Sequence, residues 1–226
     1  MKLGVLFSGG KDSTLALHLA AEKETVACLI TLVSKNKESF MFHTPNIDVS
    51  GLQAEALGLP LVREETAGKK EEELTDLAVA IAEAKSRYGI EGVVTGAVES
   101  VYQASRVQRI CNHLDLWQFN PLWKTNQKAL LETLVAKKYQ VIISGVFAYP
   151  LDEKWLGKQI DPAIIARLVE LQAKYAISPS GEGGEIETTV LDAPLFKQKI
   201  EVANAAVQWS GSSGVYVIKE ARLVPK

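Results

Sequence analysis

The chain has 226 residues, of which 47% are hydrophobic and 23% are charged, and its formal net charge is −2. This composition is typical of a globular protein with a hydrophobic core, and the slight acidic excess argues against a protein that holds nucleic acid mainly through its phosphates. No segment approaches the ~20 consecutive apolar residues of a membrane span, and the N-terminus lacks the layout of a signal peptide, so we expect a cytoplasmic protein without a membrane partner.

The first half of the chain alternates between strand-like and helix-like segments. Strands are predicted at residues 2–7, 25–32, 61–64, 92–95 and 117–119. Helices are predicted between them at residues 13–24, 49–57, 71–88 and 102–114. Such alternation predicts βαβ units that build a doubly wound, mostly parallel α/β sheet with helices on both faces. In a sheet of this kind, ligands bind in the loops at the carboxyl ends of the strands.

The second half of the chain changes character and predicts a smaller α+β domain. Its predicted elements are helices at residues 126–138 and 162–174, a strand at 140–146, and two strands at 199–209 and 215–223. The last two strands are joined by a Gly-Ser-Ser-Gly turn, which favours an antiparallel hairpin. We place the boundary so that the two domains comprise residues 1–124 and 125–226.

A glycine turn with the sequence SGGKDS, at residues 8–13, lies between the first predicted strand and the first predicted helix. Its two adjacent glycines let the backbone approach an anion, and the N–H groups at the start of the helix attract negative charge. The spacing fits neither a Walker P-loop nor a G-x-G-x-x-G dinucleotide fingerprint. It resembles the phosphate loop of the N-type ATP pyrophosphatases, which split ATP into AMP and pyrophosphate. We therefore expect the nucleotide phosphates to bind Ser8, Gly9, Gly10, Lys11, Asp12 and Ser13.

Two further loops follow predicted strands at the same edge of the sheet. The loop after the second strand contains FHTPN at residues 42–46, where we expect His43 and Thr44 to contact the nucleotide. Whether His43 also acts as an acid or base stays open. The loop after the fourth strand contains Gly96, a further predicted nucleotide contact. Arg106 lies in the helix that follows, where its guanidinium could clamp a phosphate or carboxylate, although an exposed arginine on an amphipathic helix gives the same pattern.

Residues 181–188, GEGGEIET, hold three glycines and three glutamates. The glycines cost backbone entropy and the clustered carboxylates repel one another, so this composition does not favour a loop that only stabilises the fold. It suits a loop that surrounds a cationic ligand or takes part in proton transfer. A flexible acidic surface loop is the alternative, and the sequence of the segment does not decide between them.

Together these segments resemble the diphthine–ammonia ligase family. The resemblance rests on SGGKDS, FHTPN, GAVESVYQASRV at residues 96–107, PLW at 121–123 and GEGGEIETTVLDAPLF at 181–196, in that order along the chain. It implies an adenine nucleotide alpha-hydrolase-like fold of the HUP type. It also implies that residues 1–124 form an ATP-binding PP-loop domain and that residues 125–226 form a C-terminal substrate-binding domain.

The resemblance further implies an activity. Enzymes of this family amidate the diphthine carboxylate on elongation factor 2 with ammonium, in the last step of diphthamide biosynthesis. They do so through an acyl-adenylate and release AMP and pyrophosphate. The implied cofactors are ATP and Mg²⁺, and the implied partners are elongation factor 2 carrying diphthine and ammonium. Nucleic acid is not expected as a partner, and the sequence leaves a homo-oligomer open.

Residue roles carry over from the resemblance in two groups. The implied catalytic residues are Lys11, Asp12, Arg106 and Glu185. The implied substrate-binding residues are Tyr102, Gln103, Arg106, Glu182, Gly183, Gly184, Glu185, Glu187, Thr188 and Asp192. No metal ligands are assigned from the sequence.

Two other functions share the opening motif. The first is a tRNA-modifying ATP pyrophosphatase that adds sulfur or an amine to a base. Sulfur-transferring enzymes of this kind often use a cysteine pair, whereas Cys28 and Cys111 form no C-x-x-C pair. The second is an ATP-binding sensor without catalytic activity. The glycine- and glutamate-rich segment favours the ligase over both.

Overall fold

A parallel five-stranded sheet forms the first half of the protein in the computed structural model, which describes residues 1–35, 45–68 and 72–226. Its strands are β1 (Lys2–Leu6), β2 (Thr25–Ser34), β3 (Leu61–Thr66), β4 (Gly92–Val94) and β5 (Trp117–Phe119). They are ordered β3-β2-β1-β4-β5, and every neighbouring pair is parallel. The chain leaves β1 toward one side and later crosses to β4 on the other, so the loops after β1 and β4 flank the point where ligands bind in such sheets.

Helices cover both faces of this sheet. They are α1 (Lys11–Ala21), α2 (Ser50–Leu57), α3 (Glu72–Tyr88) and α4 (Val101–His113). Alternate strand residues separate into two apolar clusters, because successive side chains of a strand point to opposite faces. Leu29 of β2 packs in the cluster that contains α1 and α2, whereas its neighbours Cys28 and Ile30 pack with α3 and α4. The predicted doubly wound α/β fold is therefore confirmed.

An antiparallel four-stranded sheet forms the second half. Its order is β7-β6-β9-β8, from β6 (Gln140–Val146), β7 (Ile186–Asp192), β8 (Lys199–Ser210) and β9 (Ser213–Val224). Two helices accompany it, α5 (Gln127–Ala136) and α6 (Pro162–Tyr175). Asp161 caps α6 as its sequence indicates, because its Oδ1 accepts a hydrogen bond of 2.8 Å from the Ile164 N–H. The predicted hairpin is confirmed as β8 and β9.

The structure adds one strand to the sequence-based expectations and moves the start of one helix. Strand β7 lies outside the predicted strands and follows directly on the glycine-rich segment. Helix α1 begins at Lys11 and not at residue 13, because Gly10 takes the N-cap position in an extended conformation. Lys11 and Asp12 therefore belong to the first turn of the helix, where N–H groups lack intrahelical partners.

A single apolar cluster joins the two sheets. Leu15 of α1 and Leu29 of β2 share it with Val141, Ile143 and Val190 of the second sheet. The division at residues 124 and 125 stays a prediction, but the two halves share a core. Within the described ranges, no helix has both the length and the apolar character needed to cross a bilayer.

Asn46 links the two halves at the edge of β9. Strand β9 pairs with β6 only at Gly214 and Val215. Beyond that point the Asn46 amide takes the place of a neighbouring strand: its Nδ2 donates to the Tyr216 carbonyl at 2.9 Å, and its Oδ1 accepts from the Ile218 N–H at 2.8 Å. Asn46 itself has a φ of 63°, a left-handed conformation that asparagine tolerates better than most residues.

We expect Asn46→Ala to destabilise the fold, because it removes both hydrogen bonds and leaves two backbone groups of β9 without these partners. The free energy of unfolding should fall by about 2 kcal/mol in urea titrations. Asn126→Ala is the matched control, since Asn126 only caps the exposed start of α5 through a 3.0 Å hydrogen bond and should cost about 1 kcal/mol. A loss at Asn46 no larger than at Asn126 would contradict the linking role.

Candidate active site

The SGGKDS loop leads from β1 directly into α1. Gly9 has a φ of 76°, in the left-handed region that favours glycine, and Gly10 has no side chain with which to cap the helix. The loop is tied internally, since the Ser13 hydroxyl accepts from the Ser8 N–H at 3.3 Å and donates to the Gly10 carbonyl at 3.1 Å. Residues Lys11, Asp12 and Ser13 of the first helical turn line a cavity. This is the arrangement in which a helix start binds a phosphate.

Strand β7 and Gln53 hold the loop from behind. The Gly9 carbonyl accepts from the Val190 N–H at 3.0 Å and from Gln53 Nε2 at 2.9 Å. The same amide nitrogen donates to the Val190 carbonyl at 2.8 Å. A Cβ on Gly9 would lie 2.1 Å from Gln53 Oε1, so only glycine fits there. In addition, the Lys11 N–H donates to the Thr188 hydroxyl at 3.1 Å.

Sequence reasoning did not identify Gln53. Its side chain is fully buried in α2, at 0% exposure, and bridges two backbone carbonyls. The available signal was the position of Gln53 beside Leu52 and Ala54 in the segment SGLQAEAL, whose residues are apolar or small apart from Gln53 and Glu55. Buried polar groups are hydrogen-bonded in most proteins, so an amide on a helix face that packs inward indicates a specific partner.

A cavity of about 370 Å³ lies between the loops after β1 and β4 and the glycine- and glutamate-rich loop before β7. This volume is in the range of small-molecule sites. Twelve of the predicted site residues line it: Ser8, Gly10, Lys11, Asp12, Ser13, Gly96, Gln103, Glu182, Gly183, Gly184, Glu187 and Thr188. Segments far apart in the sequence are thus brought to one site, although the geometry does not test the role of each residue.

Gly96 lies against the start of α1. A Cβ at this position would be 2.8 Å from the Ser13 nitrogen and 2.9 Å from the Asp12 carbonyl carbon. Both of these atoms belong to the backbone, which cannot turn aside as a flexible side chain can. Glycine at position 96 therefore sets how closely the loop after β4 approaches the phosphate loop.

A partly buried ion pair lies at the cavity wall. The Lys11 side chain is 4% exposed, and its Nζ lies 2.7 Å from Asp12 Oδ2. The other Asp12 oxygen, Oδ1, is buried and has no hydrogen-bond partner among the described residues. A buried carboxylate oxygen of this kind is available to a ligand, because leaving it unmatched is unfavourable.

Two glutamates face the same cavity with raised pKa values. Burial raises the pKa of Glu182 to about 7, with a further contribution from the negative charge of Asp12 and an opposing one from Lys11. Burial likewise raises the pKa of Glu187 to about 7, and Lys11 again opposes the shift. Glu187 retains some accessible surface, and it lines the cavity. Both carboxyls therefore change protonation near neutral pH.

The glycine- and glutamate-rich loop is anchored at several points. The Ser180 N–H and hydroxyl donate to Gln127 Oε1 at 3.2 and 2.9 Å. Gln127 Nε2 reaches Glu99 Oε2 at 3.4 Å, and the Glu99 backbone acts to lower the pKa of Glu182, against the larger effect of burial. These contacts give the loop a defined shape beside the phosphate loop, unlike a loose acidic segment on the surface.

Several predicted site residues do not line the cavity. The Glu185 carboxylate folds back on its own loop, where Oε1 accepts from the Ser178 N–H at 2.7 Å. Asp192 pairs with Lys226 Nζ at 2.7 Å. Arg106 and Tyr102 contact each other, with Arg106 Cζ 3.4 Å from the centre of the tyrosine ring.

The remaining predicted site residues are Gly9, His43 and Thr44. Gly9 supports the loop from behind and does not itself line the cavity. His43 and Thr44 lie outside the described residues. Over the described ranges, no cluster of three or more His, Cys, Asp or Glu side chains is arranged to hold a metal ion.

Family comparisons match nearly the whole chain. Residues 1–118 match the model of the diphthamide synthase N-terminal domain, and residues 126–224 match that of the diphthamide synthase C-terminal domain. The chain is 36% identical to a diphthine–ammonia ligase of Bos taurus and 35% identical to that of Homo sapiens. Each alignment extends over 92% of this chain and 85% of the relative.

A search of solved structures found a more distant likeness. A predicted subunit of tRNA methyltransferase from Methanocaldococcus jannaschii aligns with 86% of this chain and 98% of its own, at 17% identity and a TM-score of 0.44. A likeness of this size supports no statement about function.

Gly96→Ala should displace the phosphate loop, because the added methyl group meets the backbone of Ser13 and Asp12. We expect the free energy of unfolding to fall by about 1–3 kcal/mol and the affinity for the expected ligand ATP to fall with it, as measured by urea unfolding and calorimetric titration. Gly51→Ala is the control, since a Cβ there meets nothing within 4 Å and alanine should stabilise α2 slightly. Equal behaviour of the two variants would show that the close approach at Gly96 has no consequence.

Glu187→Gln tests the burial of that carboxyl. Its pKa is about 7 in the folded protein, well above that of an exposed glutamate, so the folded state holds the proton more tightly than the unfolded chain. The group therefore destabilises the fold progressively as the pH rises from about 4.5 to about 7. Glutamine should raise the free energy of unfolding by on the order of 1–3 kcal/mol at pH 8 and leave it close to unchanged at pH 4.

Urea unfolding at the two pH values measures this difference. Glu55→Gln is the control, because Glu55 is exposed on α2 and should give no such dependence on pH. A loss of stability at pH 8 in Glu187→Gln would contradict the unfavourable burial of the carboxylate.

Proposed function

The chain belongs to the diphthamide synthase family, and from that premise we propose that it amidates the diphthine carboxylate of elongation factor 2 with ammonium in an ATP-dependent reaction. It is an enzyme of the class that forms carbon–nitrogen bonds, like the diphthine–ammonia ligases to which it is similar. One observation carries the proposal: the SGGKDS loop and two partly buried glutamates line a single cavity. We take the cytoplasm, expected from the sequence, as its compartment.

The proposed reaction has two steps. A carboxylate oxygen of diphthine attacks the α-phosphorus of ATP, and the bond to the leaving pyrophosphate breaks, giving an acyl-adenylate. The nitrogen of ammonia then attacks the acyl carbon, and the bond to AMP breaks, leaving the amide. Ammonium gives up one proton to become ammonia, and the nitrogen loses a second as the amide forms.

The phosphate loop supports the first step. The N–H groups at the start of α1 and the Lys11 ammonium stabilise the negative charge that develops at the phosphate. Lys11 is held by Asp12 at 2.7 Å and is almost fully buried, so its charge acts in a site with little screening by water. Asp12 thus positions Lys11 through Oδ2, and the other carboxylate oxygen of Asp12, Oδ1, remains available to a ligand.

Asp12 also fits the expected Mg²⁺. The ion is commonly bound by one or two carboxylates together with the phosphates of a nucleotide, and it neutralises phosphate charge there. The buried Oδ1 of Asp12, which has no hydrogen-bond partner among the described residues, lies beside the phosphate loop and suits such a contact.

Glu182 and Glu187 are assigned to the cationic reactants. Diphthine carries a trimethylammonium group and ammonium is itself a cation, so both are attracted by carboxylates in a cavity of low dielectric. With pKa values of about 7, the two carboxyls are also suited to accept the proton that ammonium releases. The geometry favours these two residues over Glu185, whose carboxylate turns back to Ser178.

Tyr102 and Arg106, both expected at the substrate, contact each other. One face of the Tyr102 ring is occupied by the Arg106 guanidinium, so recognition of the substrate cation is assigned to the glutamates. Arg106 is assigned to orient the substrate carboxylate. In this role its guanidinium leaves the Tyr102 ring when the substrate binds. Membership of this family is the reason that neither the tRNA-modifying enzyme nor the sensor is retained.

The test is intact-peptide mass spectrometry of diphthine-bearing elongation factor 2 after incubation with the protein, ATP, Mg²⁺ and ammonium. We expect the carboxyl to become an amide, with AMP and no ADP among the nucleotide products. Lys11→Gln should lower the rate on the order of 100-fold, because it removes the buried cation at the phosphate. Lys128→Gln changes an exposed lysine of α5 and should leave the rate unaltered. An unmodified peptide beside a protein that still binds ATP would overturn the proposal.

A further inference from the structure

Hydrogen bonds join the turn before α5 to the two loops that line the cavity, one after β4 and one before β7. The Lys124 N–H donates to the Val98 carbonyl at 2.8 Å, which joins the turn before α5 to the loop after β4. Gln127 joins the same loop to the segment before β7 through Glu99 and Ser180. We call six exposed residues of these loops and of the first turn of α4 the mouth rim: Glu99, Val101, Trp123, Lys124, Gly183 and Gly184.

The mouth rim exposes apolar side chains on one side. Val101, the first residue of α4, is 64% exposed, and Trp123 is 38% exposed. Trp155, by contrast, is buried in the core at 5% exposure. The Lys124 ammonium lies 5.6 Å from the centre of the Trp123 ring. A tryptophan exposed on a turn that is hydrogen-bonded to a cavity loop suits an interface, where tryptophan contributes more binding energy than most residues.

Two glycines form the other side of the mouth rim. Gly183 and Gly184 are exposed and also line the cavity. Gly184 has a φ of 82°, and a Cβ there would meet nothing within 4 Å. The space in front of Gly184 is therefore open, and the absence of side chains lets another backbone approach closely.

The cavity behind the mouth rim attracts cations. Asp12, Glu182 and Glu187 line it beside a single lysine, Lys11, and an entering cation favours the ionised form of the two glutamates. A substrate side chain that ends in a trimethylammonium group would enter with its cation directed inward. Because that side chain belongs to a protein, the backbone on either side of it has to lie across the mouth.

We propose that the mouth rim is the docking surface for the loop of the protein substrate that carries the trimethylammonium side chain. Val101 and Trp123 pack against apolar side chains of that loop, and the glycine side receives its backbone. The inference rests on the proposed function, because the occupant is the protein that the enzyme amidates. It goes further in assigning substrate affinity to residues outside the cavity.

Steady-state amidation kinetics with the intact protein substrate test this surface. Trp123→Ala should raise KM for the protein substrate on the order of tenfold while kcat and the affinity for ATP stay unchanged. Val101→Ser should act in the same direction with a smaller effect, and serine suits the exposed first turn of α4. Thermal melting of both variants checks that they are folded. If Trp123→Ala does not fold, Val101→Ser still tests the docking surface.

Trp117→Ala is the matched control. Trp117 is 69% exposed at the start of the edge strand β5, opposite to the carboxyl ends of the strands that lead into the cavity loops, so its loss should leave KM unchanged. An unchanged KM in Trp123→Ala and Val101→Ser, with wild-type enzyme active, would overturn the docking surface and leave the proposed function standing. A mouth rim that instead binds a second copy of the chain would show as a change of oligomeric state in Trp123→Ala, and this result would overturn the proposal. Inactive wild-type enzyme would overturn the function itself.

Discussion

The Gly9 carbonyl accepts hydrogen bonds from Val190 and Gln53, and this contact fixes the phosphate loop against the second half of the protein. A second hydrogen bond, from the Lys11 N–H to the Thr188 hydroxyl, supports the same alignment. Together these contacts place Thr188 and Glu187, near the start of β7, at the cavity wall. The position of Glu187 relative to the SGGKDS loop therefore depends on this short stretch of contacts with β7.

The ionisable groups of the cavity destabilise the fold, and such groups suit a site that binds a ligand. Two carboxyls with pKa values of about 7 and a nearly buried lysine share one small space, where each charge loses hydration. The shared apolar core of the two sheets offsets this cost. Such unfavourable groups are retained in proteins mainly at sites that bind or transform a ligand.

Much of the site could be predicted from the sequence because its signals are local. The first strand, the glycine turn and the first helix follow one another in adjacent residues, so their sequence predicts all three. The unusual composition of residues 181–188 identifies the second segment that lines the cavity. Strand β7 and Gln53 could not be found in this way, since both depend on pairing with residues distant in the chain. The separation of Glu185 from Glu187 depends on the fold of the glycine loop, where Gly184 adopts a φ of 82°, and residue type alone does not reveal it.

The hydrogen bond from Lys11 to Thr188 joins residues that are 177 positions apart. During synthesis, β1 and α1 are complete long before their partner strand β7 leaves the ribosome. Contacts of such long range form late in folding. The SGGKDS loop consequently gains its support from β7 only when most of the chain is present, so a prematurely terminated product would lack the assembled cavity.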